Sequence, residues 1–281
     1  MIQGAVLFIA AALIGCAGAA PRGEREIDFV VIGNTAPSSP FTGHPEKLDD
    51  TYRSINRDNP ALVVHTGNLV EGGDDESGIM EKDVARQYRD FLLKREILGP
   101  VMHAAAGERD AYNGSLDLFR EYVEANLCYS FSYGPVRFII LKILRGDDAL
   151  APEEMAWLKR DLRACRSAGA IFVFSHYPVL ASSRSGMRHV QGEELHALFA
   201  RHGVKAAFSG RGRGLQEHER DGIRYVNAGC FGFNYEDPHW NFNQYYRVRY
   251  RDGELSLRGV KVKFPPGSYR PRTRPDENGT P

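Results

Sequence analysis

An excess of charge of either sign is missing from this chain: 36 Lys and Arg side chains balance 36 Asp and Glu over 281 residues. No net field therefore draws it to nucleic acid or a membrane surface, and any charge-driven function must be local. Cysteine is scarce, and the four present lie too far apart in sequence to make a zinc knuckle. Internal repeats are absent, so the fold is not read as a stacked array. No glycine-framed nucleophile elbow accompanies Ser182-Ser-Arg-Ser and His189, which removes the basis for serine-nucleophile chemistry. Arg211-Gly-Arg-Gly is a single short copy whose glycines serve a tight turn rather than a nucleic-acid-binding tract. What is present, 42% hydrophobic and 26% charged residues, supports a real core. The length fits one large α/β domain or two small ones.

Residues 1–20 carry no charged side chain and are rich in Ala, Ile and Leu, as a secretory signal is, although no Lys or Arg precedes the apolar stretch. Leu13-Ile14-Gly15-Cys16 resembles the lipobox of bacterial lipoproteins, with Cys16 as the lipidated residue. Ala17-Gly18-Ala19 offers an ordinary cleavage site instead, and an uncleaved anchor is the third reading. Export by either cleaved route leaves Cys128, Cys165 and Cys230, as one disulfide plus a thiol or as three thiols.

From Ile27 onward, short β-rich runs alternate with helical stretches, as a βαβ architecture requires. Strands are expected at Ile27–Ile32, Ala61–His65, Pro100–Ala105, Phe172–His176 and Val204–Phe208. Helices are expected around Glu46–Arg57, Glu81–Ile97, Leu116–Asn126, Pro152–Ser167 and Glu193–His202. Tyr129–Tyr133 and Val136–Leu141 read as a hairpin around Gly134-Pro135. The ending changes character: Ile223–Ala228, Tyr245–Tyr250 and Glu254–Val262 are strands without intervening helices, the last two joined at Asp252-Gly253. Two packed sheets with helices outside follow from this pattern. The domain is placed at 27–263, and the Pro- and Arg-rich tail at 265–281 is expected to be disordered.

Polar or glycine-containing turns follow the strands: Gly33-Asn34-Thr35-Ala36, Gly67-Asn68, Gly107-Glu108-Arg109-Asp110, Ser175-His176-Tyr177-Pro178 and Gly210-Arg211-Gly212-Arg213. Their order and rough spacing resemble the calcineurin-like metallophosphoesterase superfamily, whose pattern is GDxH, GD, GNHD or GNHE, a His before x-Pro, then GHxH. Tyr129-Ser-Phe, Trp157-Leu-Lys-Arg-Asp-Leu and Tyr225-Val-Asn-Ala-Gly also sit where that family has similar stretches. The resemblance spans roughly Ile27 to Val262. It implies a four-layer α/β/β/α sandwich holding two divalent metals, which orient a phosphate ester and activate a water.

The ligand positions implied by the resemblance depart from the family nearly everywhere. Asn34 stands where the first Asp belongs, Ala36 where its His belongs, and Asn68 where a carboxylate bridges the metals. Glu108 replaces an Asn ligand, Arg109 the His that protonates the leaving group, and Arg211 and Arg213 the last two His ligands; only His176 remains. An amide brings no charge, alanine no donor, and a guanidinium no lone pair. The first metal position, lined by Asn34, Ala36, Asn68 and Arg213, is therefore expected to hold no ion. Glu108 and His176 could support one weak divalent metal only if Arg211 points away. Arg109 cannot serve as a general acid, since its pKa exceeds about 12.

The expectation is an exported, catalytically inactive member of the fold acting in binding or scaffolding, with no cofactor. Two readings of the arginines stand side by side. Arg109, Arg211 and Arg213 form a site for a phosphate-like or carboxylate anion, or they are neutralised by acids such as Glu108 and Asp110 and plug the pocket. The alternatives are a weak mononuclear phosphoesterase, and an envelope surface protein whose aromatic stretch, Phe231-Gly-Phe-Asn-Tyr with His239-Trp-Asn-Phe, contacts a partner.

Overall fold

The computed structural model describes residues 26–146, 149–180, 190–211, 216–228 and 242–263. The signal-like segment with Cys16, the aromatic stretch up to Asn241, Cys230, Arg213, Ser182 to His189 and the tail lie outside the described residues.

Strand β1 (Glu26–Ile32) is an unbroken apolar run from Phe29 onward because both of its faces are covered there. Phe29 and Val31 point one way, into a core shared with the second sheet, while Val30 and Ile32 point the other way under a helix. The same alternation governs β6 (Ala170–Ser175), with Phe172 and Phe174 inward and Ile171 and Val173 outward. β1 lies parallel to β2 (Leu62–His65), which lies parallel to β3 (Met102–Ala104), and the returning strands β10 (Phe242–Arg251) and β11 (Glu254–Lys263) complete a five-stranded sheet, order β11-β10-β1-β2-β3. The six-stranded sheet has the order β4 (Tyr129–Tyr133), β5 (Val136–Ile140), β6, β7 (Ala206–Ser209), β9 (Ile223–Asn227), β8 (Gln216–Arg220).

Helices cover both outer faces. On the first sheet, α1 (Lys47–Asp58) contributes Leu48, Tyr52 and Ile55, and α2 (Glu81–Arg95) with α3 (Asp117–Tyr122) contributes Tyr88, Phe91 and Phe119. On the second sheet, α4 (Pro152–Ala164) and α5 (Gly192–His202) bury Leu158, Leu162, Leu195 and Phe199. The result is the expected four-layer α/β/β/α sandwich. Its central layer is aromatic, with the Phe29 and Phe138 rings edge to face at 5.1 Å and Phe174 stacked on Phe208 at 5.2 Å.

Three details differ from the sequence expectations. The helix expected to reach Asn126 ends at Tyr122, because Val123 and Glu124 both turn their N–H groups back onto the Phe119 carbonyl and close it. Strand β8 was not foreseen, since Gln-Glu-His-Glu-Arg shows no apolar alternation; it is a charged edge strand joined to β9 at Asp221-Gly222. The final strands, expected to follow one another without intervening helices, divide between the two sheets. β9 joins the second sheet parallel to β7, while β10 and β11 join the first, their turn carrying positive φ at Asp252 and Gly253 as a type I′ hairpin requires. Cys128 and Cys165 are both free thiols.

Candidate functional site

Parallel strands of both sheets end at the same edge of the sandwich, where open α/β sheets hold ligands. The turns after β1, β2, β3, β6 and β7 meet there. Close approach is enforced by glycine: a methyl group on Gly67, at φ 95°, would stand 2.7 Å from the Gly107 nitrogen and 2.8 Å from His176 Nδ1. Asn34 and Asn68 are both in the left-handed region, at φ 56° and 58°, which asparagine tolerates better than most side chains.

The two asparagines satisfy each other. Asn68 Nδ2 donates to Asn34 Oδ1 at 3.0 Å, Asn34 Nδ2 donates across the sandwich to the Gly210 carbonyl, and Asn68 Oδ1 accepts the Arg109 backbone N–H at 3.0 Å. Ala36, also buried, donates its N–H to the Asn68 carbonyl at 3.0 Å. Beneath them, Asp110 is fully buried and accepts four backbone N–H groups, from Gly107, Asn68, Leu69 and Val70, at 2.6 to 3.1 Å. Burial pushes its carboxyl up to about 7, against the opposing pull of the four amides.

His176, fully buried, donates from Nδ1 to the Thr66 carbonyl at 2.7 Å, so its lone pair is on Nε2. Burial pushes its pKa down to about 4. Nε2 faces Glu108 Oε2 at 3.8 Å, and neither atom has a hydrogen-bond partner. The other oxygen of Glu108 is taken by the Arg211 guanidinium, which also lies 5.6 Å from the Tyr177 ring centroid. Arg109 turns the opposite way and binds Glu71 at 2.6 Å. Thus both described arginines have a carboxylate partner. Asp110, weighed from sequence as such a partner, is committed to backbone amides instead. Beside this corner opens a cleft of about 730 Å³ whose lining includes Glu71, Asp74, Asp75, Glu76, Glu108 and Arg109.

Of the expected positions, Asn34, Ala36, Asn68, Glu108, Arg109, His176 and Arg211 converge here. Sequence reasoning missed four contributors. Glu71 holds Arg109, and Thr66 orients His176. Asn227 donates to the Arg211 carbonyl, and its place in Tyr225-Val-Asn-Ala-Gly was the available signal. His65, buried, accepts the Gly67 N–H on Nδ1 and so offers Nε2–H to Thr35 at 2.9 Å.

An α/β/β/α sandwich with its polar turns gathered at one edge defines the phosphoesterase-like class of folds. The profile of the calcineurin-like phosphoesterase family matches residues 29–210, and the chain belongs to that family. A dimetal phosphatase from Danio rerio is similar at TM-score 0.67 and 12% identity, over 84% of this chain and 97% of that one. GAP50, the anchor in the inner membrane complex of Plasmodium, is similar at TM-score 0.61 and 15% identity, over 84% of each chain. Curated protein sequences give no match.

The residues present do not fit the pair of metals that the fold implies. At the first position the amide oxygens are already occupied by N–H donors, Ala36 has no donor atom, and among the described residues no group of three His, Cys, Asp or Glu side chains could hold an ion. At the second, the donors among the described residues are the facing atoms of His176 and Glu108, beside the Arg211 guanidinium.

Proposed function

We propose that this chain is an exported, non-catalytic member of the calcineurin-like phosphoesterase family that works by binding or scaffolding. The observation that carries the reading is the closed amide relay: Asn34 and Asn68 spend their polar atoms on each other, on Gly210 and on the Arg109 backbone. A carboxylate pair there would need cations; an amide pair supplies its own donors. Arg109, at the leaving-group position, holds its charge through Glu71 and cannot give up a proton near neutral pH. That a similar fold serves in Plasmodium as an anchor supports attachment as a use for this architecture. Export rests on the uncharged apolar start and the Cys16 lipobox.

Of the two uses considered for the arginines, the internal plug is favoured, because an incoming anion would have to displace Glu71 from Arg109 or Glu108 from Arg211. The mononuclear phosphoesterase is the second reading, favoured by the unpartnered atoms of His176 and Glu108 and opposed by Arg211. Purified full-length protein assayed with an aryl phosphate and added manganese should show no turnover above the His176→Ala variant. Turnover that this substitution abolishes would overturn the non-catalytic reading.

A further inference from the structure

We propose that β4 is a pairing edge for a second copy of this chain, the two strands lying antiparallel about a twofold axis at Phe131. Each sheet has two edges, and three of the four carry features that discourage strand addition. β3 is three residues long, β8 holds Glu217, Glu219 and Arg220, and β11 holds Glu254, Arg258, Lys261 and Lys263. β4 has neither protection. Its five residues, Tyr129-Ser-Phe-Ser-Tyr133, include no charge, and among the described residues it pairs with β5 alone. Alternate residues of such a strand turn their N–H and C=O groups away from the sheet, where another strand can meet them.

The residues of the strand select the occupant. Tyr-Ser-Phe-Ser-Tyr reads the same in both directions, so an antiparallel register centred on Phe131 sets Phe131 opposite Phe131, Ser130 opposite Ser132 and Tyr129 opposite Tyr133. Aromatic pairs then share one face of the joined sheet and serines the other, with no like charges opposed. The strand is also held in place before any partner arrives, which lowers the entropy cost of pairing. Tyr129 Oη donates to the Ala104 carbonyl and accepts the Ala104 N–H, both at 3.0 Å, while Phe131 stacks on the His103 ring at 3.6 Å and on the Phe138 ring at 5.0 Å. These contacts set Val101 of the neighbouring sheet at the same end of the edge as Tyr133, and the two are 59% and 49% exposed, an apolar border for the pairing. The charges behind the strand, Arg137 and Asp161, are paired with each other and with Ser130, so neither stands against a second copy.

The test is sedimentation of the full chain over a range of concentrations, as wild type, as Tyr133→Lys and, for a control on another edge, as Ser256→Lys. Wild type should dimerise reversibly, Tyr133→Lys should raise the dimer Kd at least about tenfold, and Ser256→Lys should leave it unchanged. Should Tyr133→Lys fail to fold, Ser132→Lys places the same charge on an exposed neighbour. Register is read by disulfide cross-linking. Opposed residues of an antiparallel pair lie about 4.5 to 5.5 Å apart at Cα, within disulfide reach, so Ser130→Cys and Ser132→Cys combined in one chain should join two copies above the wild-type background while neither single variant does. A wild type that stays monomeric at every concentration, a dimer that Tyr133→Lys leaves intact or that Ser256→Lys weakens equally, or cross-linking by a single variant equal to that of the double would each overturn the proposal.

Discussion

Asp110 and His65 show how single buried groups hold the site edge in shape. Asp110 gathers the amides of two turns, after β2 and after β3, onto one carboxylate. His65 does the same with a neutral ring, accepting from Gly67 and facing Thr35. Burial, with His176 and His44 nearby, pushes its pKa down to about 3 from the ordinary 6.5. Below the ordinary value the unfolded chain binds a proton that the folded ring refuses, so this group's contribution is present above pH 6.5 and is lost as pH falls towards 3. The stability gap between wild type and His65→Gln should therefore narrow by about 1.4 kcal/mol for each pH unit below that point. Urea unfolding at several pH values checks it, and a constant gap would refute the depressed ring. At this scale the sequence was informative about loss. That Asn34 and Asn68 cannot replace two carboxylates follows from amide chemistry, but their mutual hydrogen bond depends on turns 34 residues apart meeting at left-handed φ.

Elements were legible where burial imposed a period. β1 and β6 are covered on both faces and read as apolar runs, and α4 shows its start in Pro152 followed by Glu153 and Glu154. β8 was invisible because an exposed edge strand needs no apolar residue, although its Asp221-Gly222 turn carries the same signal as Asp252-Gly253. The inward side chains of the paired sheets should dominate stability. Phe174 is fully buried among Phe29, Phe138 and Phe208. Phe174→Ala is expected to cost about 3 to 5 kcal/mol in chemical denaturation, whereas Leu93→Ala, on an exposed face of α2, should stay within about 0.5 kcal/mol. Similar losses at both positions would contradict the aromatic layer as the centre of the core.

At the scale of the whole molecule, the described residues form four apolar clusters, between the sheets and under the helices on both outer faces, and these join its layers. A chelator should therefore leave the melting temperature unchanged. A fall that manganese or zinc reverses would show a structural metal. Sheet order is where sequence reading ran out: nothing local in Ile223–Asn227 and Glu254–Lys263 sends one strand to the second sheet and the other to the first. Sequence alone carried two packed sheets with helices outside, through alternation, and the four-layer class through the family resemblance of its turns; it also determined which side chains stand at those turns, because side-chain chemistry is carried by residue identity. Tertiary structure alone decided what those side chains meet. Arg109 could have faced Asp110 or an incoming anion, and only the meeting of distant strand tips set it on Glu71, set Arg211 on Glu108 and left His176 aimed at an unpartnered oxygen. Charge pairing falls off with distance and depends on local burial, and neither quantity exists until the chain has folded.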